Sequence, residues 1–389
     1  MIMFADIHCH PVLKHFLFNY SIAENNKTTK EFNPLTMRVD IPKLLAGGTK
    51  LIFSSVYLPE RNLITECKTF RDAYYLLKIF YKDVENKFEK NNYPGEVFHQ
   101  TKRILKDFET EIKRVNGKNK IIAVAKSRKE LEASLKQNKI TIVQSIEGAH
   151  SLGRNLDDTD AYLKNIKQFF DEGVVSITLA HFFHNDVVNS IGGIPPSISG
   201  IAGCKNNFVT ETGLSNLGKR IVEEMLRLGM IVDLTHSNLK ARKEVFEINK
   251  SYNRPLIFSH VGVKKFFDHP MNPDDEEILQ IKKCGGVIGI IFSNYWLTGN
   301  EESFWKFSSE KGIGMIIKAI EHIHNVTGSY ENICIGSDLD GFTDPPDDLE
   351  NASKMKYLNQ KLSEKFPEEV VEKIMYYNAI RVLEEGWGK

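Results

Sequence analysis

The sequence predicts an α/β protein folded as a (β/α)8 barrel of the TIM type. Three observations point there. Eight short apolar runs recur along the 389 residues, amphipathic stretches of helical period separate them, and histidines and acidic residues stand where several runs end. The runs are Ile2–Ile7, Lys50–Val56, Ile140–Ile146, Val174–Ala180, Met230–Leu234, Pro255–Ser259, Gly286–Phe292 and Asn332–Gly336. Each is rich in Ile, Val, Leu or Phe. Runs apolar on both faces suit strands of a parallel sheet, whose two sides must both be covered by helices. A doubly wound open sheet has the same alternation, and strand counting alone leaves it as the alternative.

Between the runs, Leu214–Leu228 places Leu217, Ile221, Val222, Met225 and Leu228 on one helical face. Asp274–Cys284 and Gly312–His324 read the same way. Pro367–Leu383 reads as a closing helix, with proline suited to the first turn. The interval from Tyr57 to Ile140 is about twice what one crossover needs. It predicts a helical insertion after the second strand, over about residues 60–120, made of Arg71–Lys90 and Glu96–Val115 with a turn at Asn91–Gly95. Ile121–Ala125 is a further apolar run outside the barrel count. Phe70, Tyr74, Tyr75 and Phe80 of the insertion either cover the barrel or mediate a homodimer, and periodicity does not decide between these. The Gly-, Ser- and Pro-containing stretch His184–Thr212 is long enough to read as a functional loop covering a site. No repeat or polar linker divides residues 1–389, so a single barrel domain is expected.

Composition narrows the function. Hydrophobic residues are 41% and charged residues 26%, the balance of a globular protein with a sizeable core. Fifty-one basic side chains against 51 acidic ones give a formal net charge of zero, which speaks against nucleic-acid or acidic-membrane partners. No run approaches the ~18 apolar residues that span a bilayer, and Met1–Asp6 does not read as a secretory signal. Cys9, Cys67, Cys204, Cys284 and Cys334 form no CxxC pair and no visible framework. That sparse, odd set suits a reducing cytoplasm. Cys9 reads as a small buried hydrophobe.

The chemistry lies at the ends of the runs. His8, His10, His181, His236 and His260, with Glu147 and Asp338, all fall at or just beyond the C-terminal end of a predicted strand. In a parallel barrel those ends form one rim, so residues far apart in sequence converge. Imidazoles with carboxylates suit a zinc-type ion. His8 and His10 share one strand face and can reach one ion. Glu147 is either a solvated strand end or a bridge between two cations. Asp338, in Ile335–Gly341, either anchors a loop or accepts a proton from metal-bound water. His181 either packs in its loop or donates to a substrate carbonyl and its developing oxyanion. Asp340 ranks lower, as a loop residue. His150 reads as supporting a ligand or touching substrate.

These groups run in the order His-x-His, Glu, His, His, His, Asp, and the segments around them resemble the amidohydrolase superfamily. Within it the sequence is similar to the membrane (renal) dipeptidase family, peptidase family M19. Ser145–Leu152 resembles the family's E-G-x-H motif. Gly213–Gly218 with Glu224–Ser237 resembles its longest block, and Pro255–His260, Ile335–Gly341 and Asp6–His8 complete the match along nearly the whole chain.

The resemblance implies a metal-dependent hydrolase with two zinc ions. His8 and His10 would hold one ion, His236 and His260 the other, and Glu147 would bridge them. A hydroxide between the metals would attack a peptide or amide carbonyl, Asp338 would pass the proton to the leaving amine, and His181 would steady the tetrahedral intermediate. A dipeptide or similarly small amide is the implied substrate. Two departures stand out. His10 takes the place of the family's usual aspartate. The stretch Lys264–Asp275 lacks the family's carboxylate-binding arginine, and Lys264, Lys265 and His269 are the residues available to replace it. The missing arginine motivates a second reading, a lactonase or other amidohydrolase on the same metal core. A third, a non-catalytic metal-binding barrel, has no need of Asp338. Phosphoester cleavage in nucleic acid fits the neutral charge poorly.

Overall fold

The structure, a computed structural model, describes residues 3–29, 33, 35–80, 84–88, 95–192, 194, 203–204, 212–299 and 309–388. Among the described residues nine strands run in chain order: β1 (Phe4–Cys9), β2 (Thr49–Val56), β3 (Ile122–Val124), β4 (Ile140–Glu147), β5 (Val174–Thr178), β6 (Ile231–Asp233), β7 (Ile257–Val261), β8 (Val287–Ile290) and β9 (Ile333–Ile335). The pairings between these strands are parallel, in the order β2-β1-β9-β8-β7-β6-β5-β4-β3. Pairing of β2 with β4, from Leu51 opposite Thr141 to Val56 opposite Ile146, closes eight of them into a barrel. This excludes the open sheet. The ninth strand, β3, pairs only with the start of β4, so the run Ile121–Ala125 does lie outside the barrel.

Local chemistry explains where the helices begin and end. Helix Asn216–Leu228 starts at Ser215, whose hydroxyl accepts from the Gly218 amide, and stops at left-handed Gly229. Helix Asp275–Lys283 opens on a reciprocal capping box between Asp274 and Glu277. The closing segment departs from one continuous helix. Glu368–Glu372 and Asn378–Gly386 flank a π-helical turn at Lys373–Tyr377, and the Asn378 side chain donates to the carbonyls of Tyr330 and Ile333. Ala379, Val382 and Leu383 of the last helix share a core with Ile7, Phe53 and Val143 of the barrel strands.

The interval after β2 contains helices Asn62–Glu66, Lys68–Phe80 and Glu96–Asn119 and a 3₁₀ turn at Val84–Lys87. The first long helix therefore stops short of Lys90, while the second runs past Val115. Most of the turn at residues 91–95 and much of the loop 184–212 lie outside the described residues. Phe70 and Tyr74 stack edge-on against Phe88, whereas Tyr75, Leu76 and Ile79 are exposed.

The cysteine reading requires correction. Cys9 is a buried core thiol as expected, but Cys67 and Cys204 form a disulfide across 137 residues. Lys68 N–H donates to the Gly203 carbonyl at 3.1 Å, and Phe183 and Ile194 pack beside Cys67. No local spacing announces this pair, because it joins the insertion to the loop after β5 only once the barrel brings them together. With it, the inference of a reducing compartment from unpaired cysteines loses its basis.

Candidate metal centre and active site

The parallel barrel carries the predicted residues to one rim. His8 lies in β1 and His10 directly after it; Glu147 ends β4; His260 lies in β7; and His181, His236 and Asp338 follow β5, β6 and β9. All seven are buried. The Nε2 atoms of His8 and His10 stand 2.9 Å apart, and those of His236 and His260 stand 3.1 Å apart. Glu147 lies among them. Its Oε1 is 3.5 Å from His8, 3.3 Å from His236 and 3.4 Å from His260. Its Oε2 is 3.4 Å from His10 and 3.6 Å from His181. Asp338 Oδ1 lies 3.2 Å from His10 and 3.9 Å from His8. Three overlapping trios have metal-ligand spacing: His8, His10 and Asp338; His8, Glu147 and His260; Glu147, His181 and His236.

For His10 and His260 the surroundings set which ring nitrogen faces the centre. His10 Nδ1 is 3.0 Å from the Ser55 carbonyl, which only accepts, so the proton sits on Nδ1 and the Nε2 lone pair points inward. The Ser259 hydroxyl donates to Asp233 at 2.5 Å, so it accepts from His260 Nδ1 at 2.8 Å, again leaving a lone pair on Nε2. Asp233 also receives Thr178 Oγ1 and the amides of Thr235 and Ser259. On the other side of the barrel, Asp6 receives the Ser337 hydroxyl and the amides of Ser337 and His8, while burial raises its carboxyl to about 6.

Electrostatics agrees with a cation site. Burial drives the His260 imidazole well below its ordinary value, with His8 and His236 adding to the effect, and burial lowers His10 as well. Burial opposes ionisation of Glu147, but His181, His10 and His8 outweigh it and hold the carboxyl well below its usual range. Lowered imidazoles at His10 and His260 beside an ionised Glu147 suit a divalent cation, which binds imidazole in its neutral form. Burial pushes Asp338 the other way, to about 8. For His181, burial is outweighed by Glu147 and Glu60, and its value rises.

Backbone strain falls on the same residues. His236 and Asp338 adopt left-handed φ of 63° and 57°, a conformation that costs ~1–2 kcal/mol for a residue with a Cβ. Gly148, at φ 93°, follows Glu147 where a Cβ would collide with the His150 ring, so only glycine lets the chain turn there.

The predicted substrate residues are dispersed. His150 is fully buried beside this turn, with Nε2 2.9 Å from the Leu58 carbonyl. Lys264 is 3.5 Å from Asp268, and Lys265 is exposed. His269 is buried beside Phe267, Tyr295 and Trp296, and its Nδ1 accepts from the Met271 amide. Asp340 anchors a loop, accepting from the amides of Arg38 and Val39. Arg242 pairs with Glu277 at 2.6 and 3.0 Å and donates to the carbonyls of Ser237, Pro270 and Met271, joining the loops after β6 and β7.

Sequence reading missed Asp6, Asp233, Ser259 and Ser337, which look like ordinary strand residues. It also missed Glu60. That buried carboxylate holds His181 Nδ1 at 3.0 Å, Tyr57 Oη at 3.1 Å and the Phe183 amide at 3.3 Å. Its signal was available: an acidic residue just past the end of β2, the position type that marked Glu147 on β4.

A closed parallel barrel with histidines and carboxylates converging at its C-terminal mouth offers the donor set of a divalent-cation site. The membrane dipeptidase profile, peptidase family M19, matches residues 3–386, and the chain belongs to that family. An uncharacterized dipeptidase of Schizosaccharomyces pombe is 32% identical over 229 residues, 59% of this chain and 49% of that protein. A second from the same organism is 27% identical over 353 residues, covering 90% and 72%. The chain thus spans about half the length of the first relative. The crystal structure of a Rhodobacter sphaeroides metallopeptidase, liganded with a phosphinate mimic of the dipeptide L-Ala-D-Ala, shares the fold with a TM-score of 0.75 at 19% identity, covering 99% of each chain.

Proposed function

We propose that this chain is one barrel domain that hydrolyses dipeptides or similarly small amides with zinc. The observation that carries the reading is the convergence of four imidazole Nε2 atoms on Glu147. His8 and His10 would hold one ion and His236 and His260 the second, with Glu147 within reach of both pairs. Bound zinc supplies Lewis acidity to the substrate carbonyl and a water acidic enough to ionise near neutral pH. The remaining work belongs to side chains. His181 points Nε2 toward Glu147 and donates to the developing oxyanion. Asp338, beside His10, would be ionised once bound cations offset its burial, and then takes the proton from the attacking water and returns it to the leaving nitrogen. The buried walls around both keep bulk water from the reacting group. The phosphinate dipeptide mimic bound by the Rhodobacter sphaeroides structure supports the substrate class.

A second reading, a lactonase or other amidohydrolase, is favoured by one observation. The loop after β7 offers no guanidinium for a substrate carboxylate: Lys264 pairs with Asp268, Lys265 faces solvent, and His269 sits among aromatic rings with burial lowering it to about 4.

Elemental analysis of chelator-free protein, paired with L- and D-dipeptide and lactone panels, tests these readings. About two zinc ions per chain with dipeptide cleavage is the expected result. Two ions with lactone cleavage alone selects the second reading, and absence of bound metal after reconstitution refutes both.

A further inference from the structure

We propose that Glu60 is a positioning residue that locks His181 so that only its Nε2 faces the centre. The proposal rests on the hydrolytic reading for its consequence but on geometry for its substance. Glu60 is 1% exposed, and burying a carboxylate is expensive unless its oxygens are occupied. They are. Oε2 receives His181 Nδ1 and the Tyr57 hydroxyl, and Oε1 receives the Phe183 amide. A loop clip alone needs only a neutral acceptor. Here the carboxylate is spent on the imidazole nearest Glu147 among those outside the two proposed ligand pairs.

Three restraints fix that ring. Tyr57 lies against it with centroids 4.2 Å apart, and Phe182 lies 3.9 Å away. Glu60 pins the third direction, because rotating the ring by half a turn would replace Nδ1–H with a carbon and abandon the 3.0 Å bond. The remaining nitrogen, Nε2, stands 3.6 Å from Glu147 Oε2, where a scissile group on the centre would sit. Glu60 comes from the chain just after β2 and His181 from the chain just after β5. One carboxylate therefore aligns two loops and the group between them. Glu60 does not touch the reacting atoms; it acts through His181 alone.

A double-mutant cycle distinguishes this from a structural role. Removing an oxyanion donor costs ~10²–10³ in kcat, so Glu60, acting through His181, can cost no more than that. Glu60→Ala and Glu60→Gln should lower kcat by ~10- to 100-fold with KM within about threefold and zinc content unchanged. In a His181→Asn background, Glu60→Gln should cost nothing further. Additive losses, or an effect on KM alone, would overturn the positioning role. If His181→Asn itself leaves kcat intact, the hydrolytic role given to His181 fails instead. A second measurement needs neither substrate nor a folded Glu60 variant. Long-range ¹H–¹⁵N spectra of histidine-labelled wild-type protein, with His181 assigned by its loss in His181→Asn, should show the proton on Nδ1. A bare Nδ1 would refute the lock directly.

Discussion

Replacing Ser259 with alanine tests how far the supporting shell governs metal binding. The hydroxyl donates to Asp233 at 2.5 Å and accepts from His260 Nδ1 at 2.8 Å. Alanine leaves Asp233 its contacts with Thr178 and two amides but strands the His260 ring N–H in a buried site. An unsatisfied buried donor costs ~1–3 kcal/mol. Loss of such outer partners weakens metal binding ~10- to 100-fold, or ~1.4–2.8 kcal/mol at ~1.4 kcal/mol per tenfold. The two figures agree. The effect should be confined to the ion proposed for His236 and His260, because His10 is supported independently by the Ser55 carbonyl. Competitive chelator titration of the apo variant should therefore give one zinc affinity near wild type and one weakened by that factor. Two wild-type affinities in a correctly folded Ser259→Ala protein would refute the argument that the Asp233–Ser259 relay sets His260 as a ligand.

Two further outcomes follow from burial and pairing. Under native, non-reducing conditions, alkylation should modify Cys284 alone, and slowly, because Cys9 and Cys334 are buried with thiols pushed upward, Cys334 to about 12. Denaturation without reductant should raise the count to three and reduction to five, read by intact mass; five without reductant would refute the Cys67–Cys204 pair. Burial raises the Asp344 carboxyl from 3.8 to about 7. A folded value above the unfolded one means its stabilising share is complete below pH 3.8 and is lost as pH rises through about 7. Asp344→Asn removes that loss, so the variant's Tm relative to wild type should be higher at pH 8 than at pH 4 by calorimetry; a constant difference would refute the assignment.

Much of the centre was legible because its residues stand at strand ends. The apolar runs mark the strands, parallel order sends their C-terminal ends to one rim, and His8, His10, Glu147, His181, His236, His260 and Asp338 are of types that rarely end an apolar run by chance. What was not legible lies between elements remote in sequence. The place of Glu60 past the end of β2 could be read, but its partner could not until the fold set the loops after β2 and β5 together and brought it to His181. Ser259 and Asp233 read as strand filler until β6 and β7 pair.

The amino-acid sequence by itself determined the order of the barrel strands and the residue types at their ends, since hydrophobic periodicity and residue type are local properties. Tertiary structure decided what depends on closure. Pairing of β2 with β4 made the sheet a barrel rather than an open fan. That closure turned seven scattered side chains into one buried cluster, gave His10, His181 and His260 partners that select their facing nitrogen, and brought Cys67 to Cys204. Tautomer, strain and pairing are relations between distant parts of the chain, and they come into being only when the fold places those parts within hydrogen-bonding or bonding distance.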